Sequence, residues 1–370
     1  MTAYRLEGPD DAPALVFASS LGTTHAMWDD QAAALSDTFR VLRYDHRGHG
    51  RSAAPLGPYT VDELADDVLG LLDRLEIGRA TFVGLSLGGA VAMTAALRAP
   101  ERFERLVLCS TAAHFPPPEQ WIDRAATVRA EGVEAIADAA LGRWLTPAAP
   151  DGMRARLRAM LVATPPEGYA SCCEALAAFD ARGRLGELAM PVLAIAGADD
   201  PTTPPAALQA IVDEVPNGRL HVFAQARHIT NVERPDEFNR LLRNRGGGDG
   251  DGMRVRREVL GDARVDAAIE RTSDFTADFQ DLITRYAWGE IWTRPGLDRR
   301  MRSAITLTAL VAGGHENELA MHVRAALRNG LDADEIKEIL LQTAIYCGVP
   351  AANSAFAIAQ EVIDAEAKLS

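Results

Sequence analysis

Along the first 243 residues, short uninterrupted apolar runs are separated by longer stretches in which apolar residues recur at helical spacing. The runs are "ALVFAS" (14–19), "RVLRYD" (40–45), "ATFVGL" (80–85), "RLVLCS" (105–110), "PVLAIAG" (191–197) and "RLHVFA" (219–224). They do not alternate apolar with polar, as strands with one wet face would. The pattern predicts strands covered on both faces by helices, an α/β layer architecture. Thr60 and Glu63 form a capping-box pattern that opens a helix running to Leu72. Between the fourth and fifth runs lie about 80 mostly helical residues, 111–190. That is too long for a simple connection, so it reads as a helical cap.

After residue 240 the alternation stops. "LLRNRGGGDGDGMRV" (241–255) joins three consecutive glycines to Asp-Gly-Asp-Gly, a composition that neither propagates a helix nor packs a core. Residues 244–252 are therefore expected to be a linker between a domain at 1–243 and a second at 253–370. Beyond it every periodic segment is helical. "DRRMRSAITLTALVAGG" ends on glycines, and "NELAMHVRAALRNG" carries apolar or small residues at 319, 323, 326 and 327. "DADEIKEILLQTAIYCG" opens on an Asp332/Glu335 cap, and "PAANSAFAIAQEVIDAEA" places Pro350 at the first helical position. The expected fold class is α/β followed by all-α.

Composition narrows the function classes. A net charge of −14 argues against nonspecific binding to nucleic acid or to an anionic membrane. The N-terminal "MTAYRLEGPDDAP" is no secretory signal, and no apolar run reaches the length of a membrane span. Cys109, Cys172, Cys173 and Cys347 fit neither a disulfide framework nor a metal site. A reducing cytoplasm is the expected compartment, with no metal and no cofactor.

"TFVGLSLGGA" (81–90) places Ser86 between glycines after a buried strand and before a helix. This is the setting a nucleophile elbow requires. Gly84, Gly88 and Gly89 let the chain turn tightly and the strand and helix approach closely. An unactivated hydroxyl needs a base, and "AQARHITNVERPDEF" supplies His228 after the last apolar run. "IAGADDPTTPP" offers Asp199 and Asp200 as the acid that would orient the imidazole. The order serine, aspartate, histidine is that of a nucleophile-elbow hydrolase.

On these residues the first 243 positions resemble the α/β-hydrolase superfamily. The family pattern G-x-x-D-x-x-x-P selects Asp200, between Gly197 and Pro204. "LVFASSLGTTHAMWDDQ", with Trp28 setting the register, resembles the loop that supplies an oxyanion donor, although Ser19-Ser20 stands where most relatives have His-Gly. The resemblance implies the backbone N–H groups of Leu21 and Leu87 as the oxyanion hole. "SSLGTTHAMWD", "YDHRGHGRS" and "GLSLGG" together are most similar to the 3-oxoadipate enol-lactonase subfamily. The histidines of "YDHRGHGRS" are expected to be structural. A carboxylate-bearing lactone would need a cationic contact near the cap, with Arg143 and Arg124 as candidates and Trp144 as a candidate pocket wall.

In the C-terminal region His322 lies on the apolar stripe of Leu319, Val323, Ala326 and Leu327. Glu318 and His315 lie four and seven residues earlier, and share its face if the helix extends that far back. Arg299, Arg300 and Arg302 in the preceding helix could add positive charge. "WTRPGLDRRMRSAITLTALVAGGHENELAMHVRAALRNG" and "EIKEILLQTAIYCGVPAAN" resemble the carboxymuconolactone decarboxylase family, an AhpD-like helical fold. Peroxidases of that wider family carry C-x-x-C-x-x-x-H here. His322 matches the histidine, while His315 and Glu318 occupy the cysteine positions, so thiol peroxidase activity is not expected. The resemblance implies His322 as proton donor, Arg299 or Arg302 as anion stabiliser, and His315 and Glu318 as further pocket residues.

Taken together, the two resemblances imply one bifunctional enzyme of the protocatechuate branch of aromatic catabolism. Its partners would be small-molecule lactone carboxylates, and the C-terminal domain would form homo-oligomers. The alternative is an esterase or cofactor-free perhydrolase fused to a non-catalytic oligomerisation domain.

Overall fold

The computed structural model describes residues 2–243, 250–294 and 296–368. The chain divides into two compact units, Met1–Arg243 and Asn244–Ser370.

The first unit is built on a seven-stranded sheet. Its strands are β1 (Tyr4–Glu7), β2 (Ala14–Ala18), β3 (Arg40–Tyr44), β4 (Ala80–Leu85), β5 (Phe103–Cys109), β6 (Val192–Gly197) and β7 (Gly218–Phe223). They lie in the order β1-β3-β2-β4-β5-β6-β7. Every neighbouring pair is parallel except β1 with β3. The six apolar runs are six of these strands. β1 was not expected, because "YRLE" lies at the sheet edge, largely exposed, and carries no apolar run. In contrast, β2, β4 and β6 are buried at every position, as strands covered on both faces must be. The Thr60/Glu63 capping box forms as read and opens the helix Val61–Arg74.

The stretch after β5 is helical, with Pro118–Glu131, Ala137–Trp144, Asp151–Val162 and Pro166–Ala178. Arg129 ties the first and last of these together, donating to both Glu167 and Glu174. The helices rest on the sheet through buried Trp121, Leu141, Leu157 and Tyr169, which belong to one continuous core with Phe17, Trp28 and Phe238.

Among the described residues every secondary-structure element of the second unit is a helix. Arg299–Gly313, Glu316–Arg328, Ala333–Tyr346 and Val349–Ala367 enclose a core of Leu307, Val311, Leu319, Val323, Ile336, Leu340 and Val362. Each boundary has a local cause. Asp298 caps the first helix and Gly314 ends it at φ 67°, and Asp332 with Glu335 forms a complete capping box. Before these helices lie Gly250–Leu260, Asp262–Glu270 and Asp274–Ile283, with a π-helical turn at Thr284–Ile291. Val255, Val259, Val265 and Trp288 form a second small core there.

The expected linker needs correction. Residues 244–249 lie outside the described residues, but 250–252 belong to a helix. Gly252 is not a spacer. A Cβ there would stand 2.3 Å from the carbonyl oxygen of Thr284, so glycine is what allows the two segments to touch.

Candidate active sites

Ser86 follows β4 directly and has φ 57° and ψ −112°, a conformation an L-residue holds at a cost of about 1–3 kcal/mol. The surroundings enforce it. Its N–H donates to the Cys109 carbonyl at 2.9 Å, and its carbonyl accepts from Gly89 N, Ala90 N and Thr111 Oγ1. The glycines around it are steric requirements. A Cβ on Gly84 would lie 2.1 Å from the Gly88 carbonyl oxygen, and one on Gly88 would lie 2.2 Å from that of Ala18. The Ser86 side chain does not cap the helix Leu87–Arg98, so its hydroxyl is not spent on structure.

His228 is 2% exposed, and its Nδ1 pairs with Asp200 Oδ2 at 2.8 Å. The carboxylate is held from the other side by the N–H groups of Thr202 and Thr203 and by the Thr203 hydroxyl. Burial alone would raise the Asp200 carboxyl, but the His228 imidazole and these donors outweigh it and hold the group below the ordinary range. Asp199 is exposed and meets the rest of the unit through its N–H to Ala226. The loop packs closely because Gly197 has no side chain: a Cβ there would fall 2.2 Å from the Arg227 carbonyl oxygen.

Leu21 and Leu87 present the two candidate oxyanion donors. Leu87 is the first residue of its helix, so its N–H has no intrahelical acceptor. On either side of Leu21 the amides are committed, Ser20 N to Met27 Sδ and Gly22 N to His49 Nε2 at 2.9 Å. The latter bond gives "YDHRGHGRS" a role that its sequence did not reveal. His49 must be neutral at Nε2 to accept it, and its Nδ1 lies 3.3 Å from the Arg47 carbonyl. Burial pushes His49 down to about 4, and burial with His49 nearby does the same to His46. His46 in turn lies 3.0 Å from the Ser19 carbonyl through Nε2. Two neutral histidines therefore fix the loop that carries Leu21.

The cap meets this loop at Gly22, where a Cβ would stand 2.5 Å from Leu161 and 2.9 Å from the Tyr169 ring. Tyr169 interacts electrostatically with both Arg124 and Arg143. Among the described residues neither arginine has a carboxylate partner. Arg124 lies over the Trp121 ring at 4.6 Å, while burial and Arg124 together weaken Arg143's hold on its proton. Trp144 is buried, and it reaches the site through its backbone, whose carbonyl accepts from Ile229 N at 3.1 Å. Two further links join the same segments. Arg227 donates to the carbonyls of Gly142 and Leu145, and Glu233 accepts from Thr146 N, Thr146 Oγ1 and Arg227 N.

In the second unit, Glu318 and His322 line one pocket of about 480 Å³. Burial lowers His322, with Glu318 opposing the shift. The expected third member is elsewhere. The helix begins at Glu316, and His315 is its exposed N-cap residue with φ −87° and ψ 67°, so it does not continue the face of Glu318 and His322. The anticipated arginines are also engaged elsewhere: Arg299 pairs with Glu258, Arg300 with Glu335, and Arg302 donates to the Arg294 carbonyl. The pocket's cations are Arg256, Arg264 and Arg271. They come from segments before the motif-bearing helices, where no residue pattern marked them.

The two units match different known proteins. Residues 13–148 and 139–235 match the alpha/beta hydrolase fold family, and residues 277–361 match the carboxymuconolactone decarboxylase family. Over 243 residues the chain is 44% identical to 3-oxoadipate enol-lactonase 2 of Acinetobacter baylyi, covering 65% of this chain and 90% of that protein. Over 111 residues it is 50% identical to 4-carboxymuconolactone decarboxylase of the same organism, covering 30% of this chain and 83% of that protein. The enol-lactonase from Burkholderia xenovorans LB400 superposes with a TM-score of 0.63 at 44% identity, covering 66% of this chain and 95% of that one. The chain thus belongs to the alpha/beta hydrolase fold family through its first unit and, as a fusion, to the carboxymuconolactone decarboxylase family through its second.

Proposed function

We propose that the chain is a bifunctional enzyme that decarboxylates 4-carboxymuconolactone to 3-oxoadipate enol-lactone and hydrolyses that lactone to 3-oxoadipate. The carrying observation is that each unit pairs its own reactive side chains with close similarity to an enzyme of one step. The product of one step is the substrate of the next. The setting we infer is protocatechuate catabolism in a reducing cytoplasm.

In the lactonase unit, Ser86 Oγ attacks the lactone carbonyl while His228 takes its proton. Asp200 occupies Nδ1, which leaves Nε2 as the base and stabilises the imidazolium that forms. The amides of Leu21 and Leu87 receive the oxyanion, each contributing about 10²–10³ in rate. The ring oxygen departs as an enolate, takes the proton from the His228 imidazolium as an enol, and the enol tautomerises to the ketone. Water activated by His228 then attacks the acyl-serine and releases 3-oxoadipate. Arg124 and Arg143 hold the substrate carboxylate.

In the decarboxylase unit, the ring carboxylate leaves as CO₂. Its electron pair delocalises through the ring alkene onto the lactone carbonyl, so the substrate is its own electron sink. His322, as imidazolium, gives a proton to carbon and takes one back from water, and the Glu318 carboxylate beside it favours that charged form.

We infer further that this unit assembles with copies of itself. Phe275, Ile345 and Tyr346 are 95%, 79% and 81% exposed, far more apolar surface than an isolated helical bundle leaves to water without use.

The test is a coupled assay of the intact chain on 4-carboxymuconolactone, following CO₂ and 3-oxoadipate. One of each per substrate is expected. Hydrolysis of simple esters without turnover of this lactone would overturn the reading.

A further inference from the structure

The pocket beside His322 has a second wall that the proposed chemistry has not yet used. Arg256 is 6% exposed, its Nη1 donates to Thr284 Oγ1 at 2.8 Å, and its Nη2 donates to Gln280 Oε1 at 2.9 Å. Its Nε is buried with no acceptor. Other arginines of the unit sit against carboxylates: Arg257 with Asp262 and Asp266, Arg299 with Glu258, Arg324 with Glu366. Among the described residues Arg256, Arg264 and Arg271 have no such partner, yet all three line this one pocket. Arg264 also faces Arg256 closely enough to weaken its hold on its proton, in addition to the effect of burial.

A buried guanidinium held only by neutral oxygens is expensive to keep charged. The cost is offset when a ligand brings the missing anion into the pocket. Resting on the decarboxylase reading above, we propose that Arg256, flanked by Arg264 and Arg271, binds the substrate carboxylate that survives the reaction.

The choice between the two carboxylates follows from the chemistry. An ion pair with the departing carboxylate must be surrendered as CO₂ forms, so it would deepen the ground state and raise the barrier. An ion pair with the retained carboxymethyl arm persists unchanged through the transition state and costs the reaction nothing. Buried arginine therefore belongs with the arm that stays. The lactone ring then lies toward Glu318 and His322, where the carbon next to its carbonyl is protonated. All three arginines precede residue 277, where the family match begins, so this wall would set substrate choice from outside the matched region.

The test uses the intact chain with CO₂ release as readout, and 5-oxotetrahydrofuran-2-acetate as a competitive probe that keeps the ring and the retained arm only. Arg256→Met should raise KM by about 30-fold or more, as truncating a buried charge partner costs 2–5 kcal/mol. The probe's inhibition constant should rise by the same factor, with kcat within about threefold. Arg256→Lys should recover part of both. A fall in kcat at constant KM, or a raised KM with unchanged probe inhibition, would overturn the assignment. Should Arg256→Met fail to fold, the exposed pair Arg264→Gln/Arg271→Gln carries the test, and unchanged KM and probe inhibition there overturn it equally. Should the wild type release no CO₂, calorimetric binding of the probe to wild type and to Arg264→Gln/Arg271→Gln separates the two claims. Equal affinity then removes the anion subsite as well.

Discussion

The two units hold reactive side chains by opposite means. In the hydrolase unit, backbone geometry does the positioning: a positive-φ serine, glycines with no room for a Cβ, and amides already committed on each side of Leu21. In the helical unit, side chains from separate helices converge on a pocket, and among the described residues no non-glycine residue has a positive φ. Their surfaces differ in the same sense. Of the large apolar side chains exposed among the described residues, four belong to the first unit and thirteen to the shorter second one. The sheet unit buries nearly all its large apolar side chains, whereas the helical unit leaves many of them exposed.

The strongest way to break this contrast is at the nucleophile. Ser86→Ala should reduce lactone hydrolysis by about 10⁵–10⁶-fold, as loss of a triad nucleophile does, and leave CO₂ release from 4-carboxymuconolactone untouched. A loss of both rates would show that the units do not work independently. At the acid, Asp200→Asn should cost about 10⁴-fold through the wrong histidine tautomer. Exposed Asp199→Asn should stay within about threefold, and equal losses would undo the choice between them.

His322→Gln should lower CO₂ release by about 10²–10⁴-fold, the range of general acid catalysis, with lactonase turnover as internal control. Stereospecific deuterium incorporation from D₂O with a near-normal rate would remove His322 from its role. The surface contrast is sharpened by Ile345→Lys/Tyr346→Lys, which should shift the chain to a smaller species in sedimentation. An unchanged mass would show that this face is not the interface.

The smallest expected effect is on pH. His46 and His49 lie near 4 in the fold against an ordinary 6.5, so the fold keeps them uncharged while the unfolded chain takes up protons below about 6.5. Their contribution to stability is therefore full above pH 6.5 and is lost as pH falls toward 4. Melting of a fragment 1–243 should weaken across that window, and His49→Gln should flatten the decline. A melting temperature constant from pH 7 to 4.5 would contradict the assignment.

The same contrast explains what was legible beforehand. The doubly covered strands and the tight turn at Ser86 could be read because buried runs are apolar throughout and close approach demands glycine at a fixed position, such as Gly84 or Gly88. The edge strand Tyr4–Glu7 could not, since exposed four-residue pairing leaves no apolar signature. The helical pocket was half legible. Glu318 and His322 share a stripe, but Arg256, Arg264 and Arg271 meet them only through tertiary packing. Gly252 reads as linker in the sequence because a glycine required by close packing and a glycine in a loose tether look alike there.

One feature of the hydrolase unit bears on how such enzymes could be recombined. Segment 142–146 of the cap is bound to 227–233 through Trp144 with Ile229, Arg227 with Gly142 and Leu145, and Glu233 with Thr146. His228, the proposed base, therefore belongs structurally to the cap as much as to the sheet. A graft that exchanged residues 111–190 for the roof of a relative with different substrate preference would sever those links and leave His228 adrift. The module that can be transplanted is the cap together with the loop 227–233.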